Sequence, residues 1–103
     1  IAVSETGMLS KEVTVTGLKL RGSPPDQQQY YEVLLRTAAR DRYRFVVTFC
    51  TTDYDRLLEA LPAEARELAN IWTYTGLQTS DGTPKPALEV WDRWLRMPLG
   101  SGR

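Results

Sequence analysis

The pattern of apolar and polar positions predicts two β-strands separated by a long helix. Residues 1–4, "IAVS", are small and partly β-branched, and the Thr-Gly that follows is typical of a strand ending in a turn. Residues 43–50, "YRFVVTFC", form a nearly continuous apolar run, which predicts a parallel strand buried on both faces. Residues 8–22 alternate only roughly and are interrupted by Gly17. For that segment we expect a long loop with extended stretches.

The segment between the two strands predicts a helix with clear start and stop signals. Ser23 and the two prolines after it favour a helix start, and Asp41 or Arg42 marks the end. Apolar residues recur within it at helical spacing. The face that they define consists of Tyr30, Val33, Leu34, Thr37 and Ala38.

The second half of the chain predicts further helices. Two short helical stretches are expected on either side of Pro62, followed by a turn at Asp81-Gly82 and a last helix that starts at Pro86. One stripe of this last helix is apolar, which places its two tryptophans in the core. The stripe consists of Ala87, Leu88, Trp91, Trp94 and Leu95.

The alternation of strands and helices indicates an α/β fold with a parallel sheet and right-handed crossovers. Two strands alone leave their edges unpaired and bury little apolar surface. The chain also begins without Met. A cleaved leader or a trimmed tag explains the absent Met but not the small number of strands. We therefore expect residues 1–97 to be a piece of a larger α/β protein, and residues 98–103 to be a flexible tail.

Composition removes several classes of function. The chain has 103 residues, with 13 Lys and Arg against 13 Asp and Glu, so it lacks a charge that favours nucleic acid or an anionic membrane surface. No apolar run approaches the ~20 residues that span a bilayer. With no His and only Cys50, the chain offers no Ser-His or Cys-His pair, no His-based zinc site and no internal disulfide. Carboxylates remain for chemistry, and we expect neither cofactor nor metal.

Three segments resemble retaining clan A glycoside hydrolases, the TIM-barrel group that includes cellulases, mannanases and endo-β-1,4-galactanases. "IAVSETG" resembles their seventh strand, which ends in a nucleophilic Glu often followed by Thr-Gly. "RFVVTFCTTDYD" resembles the eighth strand and its loop, and "WTYTGLQTSDGTPKPALEVWDRWL" resembles the closing segment. The resemblance implies the C-terminal quarter of a (β/α)8 TIM barrel, with strands 7 and 8 and their helices.

The resemblance also implies a reaction. Glu5 would be the catalytic nucleophile in the cleavage of β-glycosidic bonds of an oligo- or polysaccharide, with retention of configuration. The acid/base Glu of this group lies on the fourth strand, often in an Asn-Glu pair, and no such pair occurs in this chain. The partner implied is the remaining N-terminal part of the barrel, without which the chain would be inactive. A secreted or periplasmic location would suit such an enzyme. Without the resemblance, Glu5 is an exposed carboxylate at a strand end.

The same resemblance suggests residues for substrate binding. Phe49 stands where many of these enzymes place a Trp as the floor of the sugar subsite, a departure from their pattern. Trp72 and Tyr74 are candidates for further sugar platforms, although Trp72 would equally fit packing beneath its loop. Asp53, or Asp55, either contacts a sugar hydroxyl or caps the helix that follows. The alternative function is a non-catalytic carbohydrate-binding module or an inactive barrel-like relative.

Overall fold

A computed structural model describes residues 1–98 as a small mixed α/β domain. Four short strands and four helices follow one another along the chain. They are β1 (Val3–Thr6), β2 (Val13–Val15), β3 (Leu18–Leu20), α1 (Pro24–Arg40), β4 (Val46–Thr48), α2 (Asp55–Leu58), α3 (Ala63–Thr73) and α4 (Pro86–Arg96). The strands pair as two separate two-stranded sheets, β1 with β4 and β2 with β3. From Leu99 onward the expected tail lies outside the described residues.

The pair β1–β4 is parallel, as the alternation of strands and helices predicts. Val3 pairs with Val46, and after an irregularity Thr6 pairs with Thr48. The expected burial on both faces is wrong, because three apolar side chains of this region stay exposed. Phe45 is 52% exposed, Val47 46% and Phe49 45%. Val46 packs against the core between the helices.

Helix α1 has the bounds that its sequence predicts, but a different buried face. The Ser23 hydroxyl caps its start by accepting a hydrogen bond of 3.2 Å from the Asp26 backbone N–H, and Asp41 forms the C-cap. The buried residues are Gln27, Tyr31, Leu35 and Ala38. Val33, which the apolar pattern assigns to the core, is 46% exposed. The pattern misplaces the face because apolar residues stand in adjacent pairs, Tyr30-Tyr31 and Leu34-Leu35, so helical spacing fits two neighbouring stripes, and because the fully buried Gln27 does not count as apolar.

The main core lies where α1 packs against α4. Its buried members are Tyr31, Leu35, Leu77, Ala87 and Val90. Trp91 packs edge-on against Tyr31 with ring centroids 5.4 Å apart, so it contributes to the core as expected, and Trp94 packs beside it. Leu95, by contrast, is 75% exposed and does not belong to the buried stripe. Val90, which the predicted stripe omits, is 1% exposed.

The expected long loop at residues 8–22 instead contains the hairpin β2–β3. Thr16 and Gly17 form its two-residue turn with φ of 50° and 80°, the left-handed values that a type I′ turn requires. Val13 and Val15 on β2 are buried with Leu9, and Ile71 of α3 packs against them. Gly17 is therefore the turn that connects two strands rather than a break in one.

The elements after β4 follow the sequence prediction closely. Helices α2 and α3 lie on either side of Pro62. A turn at Asp81-Gly82 is closed by a 2.9 Å hydrogen bond from the Gly82 N–H to the Thr79 carbonyl. Hydrogen bonds from Thr79 and Thr83 lower the pKa of Asp81 to about 2. No helix in the described part of the chain is both long and apolar enough to cross a membrane.

Candidate functional site

A cavity of about 350 Å³ opens at the carboxyl ends of β1 and β4. Glu5 on β1 and Phe49 directly after β4 both line it, because parallel strands place their carboxyl ends at the same edge. The other walls come from the segment after β1 and from the end of α3. They include Met8, Leu9, Ile71, Trp72 and Thr75. The structure thus brings together Glu5, Phe49 and Trp72 among the residues selected from the sequence.

The aromatic wall of this cavity is a pair of rings. Phe49 and Trp72 lie with ring centroids 6.3 Å apart and their planes tilted by 52°. Phe49 is 45% and Trp72 39% exposed, so both present part of a ring face to the cavity or to solvent. Trp72 is therefore a wall residue and not a side chain buried beneath its loop.

Tyr74 and Asp53 lie away from this cavity. Both line a neighbouring one of about 340 Å³, where the Lys11 ammonium lies 4.7 Å above the Tyr74 ring. The Asp53 carboxylate is buried and accepts hydrogen bonds from the Lys85 ammonium at 2.7 Å and the Gly76 N–H at 2.9 Å. Asp53 therefore faces Lys85 rather than the cavity that contains Glu5.

Neither aspartate caps helix α2. The N-cap position is Tyr54, which makes no capping side-chain hydrogen bond, and Asp55 is the first helical residue. The capping expectation is wrong because the Asp53 carboxylate is already engaged by Lys85 and the segment after α3.

Cys50 is a half-buried free thiol next to the site. Burial raises its pKa, and the negative charges of Asp53 and Glu5 raise it further, while a hydrogen bond with Thr75 acts in the opposite direction. The thiol is therefore protonated at neutral pH and is a poor nucleophile.

Three buried polar residues around the cavity were not selected from the sequence. Lys85, immediately before α4, also donates to the Ser10 hydroxyl at 2.8 Å. Gln27 donates from its side-chain amide to the carbonyl of Met8 at 3.0 Å and that of Gly76 at 2.9 Å. The signal for Gln27 was its spacing, since it lies one turn before the buried Tyr31 on the same helix face. Lys85 and Ser10 carry no comparable local signal.

The arrangement offers one carboxylate beside two aromatic rings. Glu5 is the only acidic side chain that lines this cavity within residues 1–98. The same residues contain no cluster of three or more Cys, Asp or Glu that could hold a metal ion. Comparisons of the chain with protein-family models, with curated proteins and with solved structures find no match.

Proposed function

We propose that this chain is the C-terminal portion of a retaining β-glycosidase with a (β/α)8 fold, and that Glu5 is its nucleophile. The observation that carries the proposal is the shared cavity of Glu5 and Phe49 at the carboxyl ends of two parallel strands. Barrels of this type place their active sites at that end of the sheet, with catalytic residues supplied by several strands.

The reaction needs two carboxyl groups. Glu5 is the first, and the described residues bring no second one to the cavity. A Glu5 carboxylate oxygen forms a bond to the anomeric carbon as the bond to the leaving oxygen breaks. A second carboxyl group, ~5–5.5 Å from the first, protonates that oxygen. It then removes a proton from water, which attacks the anomeric carbon and releases Glu5 with net retention. In this proposal the second group lies on a strand in the rest of the barrel.

The aromatic pair suits a sugar ring. Phe49 and Trp72 offer large apolar surfaces next to the nucleophile, and the C–H face of a pyranose is apolar. A sugar ring stacked there would be held by apolar contact with these two side chains, while Glu5 contacts its anomeric carbon. Phe49 thus takes the place where related barrels carry a Trp.

The exposed apolar side chains of the parallel sheet support the larger barrel. Phe45 and Val47 each remain about half exposed on β4 and beside it. Strand edges and apolar faces of this kind are normally covered in a stable protein. In a closed barrel the other strands would cover both the face and the free edges of β1 and β4.

The test is the substitution Glu5→Ala in the complete protein, assayed on a panel of aryl β-glycosides. Turnover should fall by several orders of magnitude, because no covalent intermediate can form. Glu12→Ala is the matched control, since it removes an exposed carboxylate outside the cavity and should leave turnover unchanged. A Glu5→Ala protein with near wild-type turnover would refute the assignment.

A second candidate is a module that binds carbohydrate without cleaving it, favoured by the single carboxylate in the cavity. In that case saccharide affinity depends on the aromatic wall and not on the carboxylate. Binding should then survive Glu5→Gln and be lost in Trp72→Ala, measured by calorimetry on a protein that shows no hydrolysis. Hydrolysis by the wild-type protein excludes this candidate.

A further inference from the structure

We infer that Lys85 and Gln27 are positioning residues of the cavity that contains Glu5. Both are buried donors that lie outside the cavity lining and bind the two segments that form its walls. We call these segments the first wall loop (residues 7–10, after β1) and the second wall loop (residues 74–77, after α3). The catalytic meaning of this inference rests on the proposed function, whereas the restraint of the loops does not.

Lys85 joins both wall loops to the segment after β4. Its ammonium donates to the hydroxyl of Ser10 at 2.8 Å and to the carboxylate of Asp53 at 2.7 Å. The Ser10 hydroxyl in turn donates a hydrogen bond of 2.9 Å to the Tyr74 carbonyl in the second wall loop. Asp53 also contacts this loop, by accepting from the Gly76 N–H at 2.9 Å. One ammonium thus links three segments, in addition to backbone hydrogen bonds such as that from the Ser10 N–H to the Tyr74 carbonyl at 3.0 Å.

Gln27 connects the same two loops from helix α1. Its side-chain amide nitrogen donates to the Met8 carbonyl in the first wall loop at 3.0 Å, and to the Gly76 carbonyl in the second at 2.9 Å. The side chain is completely buried, and its carbonyl oxygen has no hydrogen-bond partner. Gln27 therefore links the two wall loops by donating to the Met8 and Gly76 carbonyls, which take no part in strand pairing.

Stability alone does not account for this choice of residues. A buried ion pair loses the hydration of both charges, and an apolar replacement of the pair is often equally stable. A buried amide oxygen without a partner is destabilising as well. What the two side chains provide is a fixed geometry for wall-loop carbonyls and hydroxyls that would otherwise be buried without donors.

The wall loops and the nucleophile are held by different interactions. Glu5 lies on β1, whose position is set by its pairing with β4. Trp72 precedes the second wall loop, and both the N–H and the hydroxyl of Thr75 in that loop donate to its carbonyl. Loss of the Lys85 contacts should therefore displace the aromatic wall and leave the nucleophile in place. The expected kinetic effect is on KM more than on kcat.

The experiment compares Lys85→Met with Arg93→Met in the complete protein, using the aryl β-glycoside that the wild type cleaves best. Arg93 is the control, because it also forms an ion pair, but with Glu32 of α1 and without either wall loop, and its side chain is 49% exposed. Lys85→Met should raise KM about tenfold with kcat within about threefold of wild type, since small displacements near a site strongly affect substrate positioning. Arg93→Met should change neither constant.

A purely structural role gives a different result. Partial unfolding lowers the amount of active enzyme, so the apparent kcat falls while KM stays unchanged; that outcome overturns the inference. Ser10→Ala is the second variant, because it keeps the buried ion pair and its contact with Gly76 and removes only the two hydrogen bonds of the Ser10 hydroxyl, to Lys85 and to the Tyr74 carbonyl. It should raise KM about threefold, and an unchanged KM in Ser10→Ala also overturns the inference.

Hydrogen–deuterium exchange separates this inference from the proposed function. Lys85→Met should speed amide exchange in the two wall loops and leave β1 at the wild-type rate. Exchange that is unchanged, or that rises equally in β1 and the loops, overturns the inference whether or not the protein is an enzyme. A wild-type protein without glycosidase activity refutes the proposed function, and selective exchange in the wall loops still supports their restraint by Lys85.

Discussion

Gly76 lies so close to the segment after β4 that any side chain there forces the backbone to move. A Cβ added at Gly76 would lie 2.5 Å from the Thr52 carbonyl carbon and 2.8 Å from an Asp53 carboxylate oxygen, and closer still to the Asp53 backbone nitrogen. Two of these three atoms belong to the main chain, so they cannot rotate away as a flexible side chain does. Gly76→Ala must therefore displace one segment from the other.

The cost of Gly76→Ala has two sources. Overpacking of a tight contact costs about 1–3 kcal/mol. The displacement also weakens the hydrogen bond from the Gly76 N–H to the Asp53 carboxylate, and hydrogen bonds to charged groups contribute about 1.5–3 kcal/mol. Together we expect the free energy of unfolding to fall by about 2.5–6 kcal/mol, a large share of the ~5–15 kcal/mol that stabilises a typical protein.

Urea denaturation measures this loss, with Gly7→Ala as the control. A Cβ at Gly7 lies 3.4 Å from the Thr75 side chain, which is an ordinary van der Waals contact. The free energy of unfolding of Gly7→Ala should therefore stay within about 0.5 kcal/mol of wild type. The slope of the unfolding curve should be the same in all three proteins. If Gly76→Ala is no less stable than Gly7→Ala, the close approach of these two segments is refuted.

Two further predictions concern buried groups next to the parallel strands. Tyr31→Phe removes a 2.9 Å hydrogen bond to the Thr48 hydroxyl and should lower the free energy of unfolding by about 0.5–1.5 kcal/mol in urea, whereas an unchanged value would exclude a contribution from this bond. Burial raises the pKa of Cys50, so the folded state favours the protonated thiol. The stabilisation that this preference gives is complete below the pKa of the thiol in the unfolded chain. It is lost as the pH rises through the higher pKa of the folded state. Iodoacetamide should accordingly modify Cys50 more slowly at pH 8 in the folded protein than in urea, and equal rates would contradict the shift.

The sequence predicts the helices well because their signals are local. Ser23 and the prolines after it fix the start of α1, Pro62 separates α2 from α3, and Pro86 begins α4. The hairpin was missed because Gly17 resembles an interruption until its positive φ identifies a turn. Which face of a helix is buried depends on the partners of each side chain, and an apolar count cannot represent a glutamine such as Gln27, which is buried for its hydrogen bonds.

Some residues of the candidate site can be identified from local sequence signals, and others cannot. Glu5 and Phe49 are identifiable because each lies at or next to the end of a predicted strand, and parallel pairing then brings the two ends together. The role of Lys85 is not visible in the sequence, because its partners Asp53 and Ser10 are 32 and 75 residues away. No local spacing encodes such a contact, and a lysine is usually exposed.

These sequence separations have a consequence for how the protein is synthesised and folds. Contacts between distant residues require the closure of long loops, so they form late and slow the folding reaction. The Ser10–Lys85 bond spans 75 residues, and the Gln27–Gly76 bond spans 49. During synthesis Glu5 and both wall loops emerge before Lys85, so the hydrogen bonds of the Lys85 ammonium to Ser10 and Asp53 form only after both loops have left the ribosome. The restraint of the wall loops by Lys85 is thus acquired only late in the synthesis of residues 1–98, and until then the two loops depend on their other contacts.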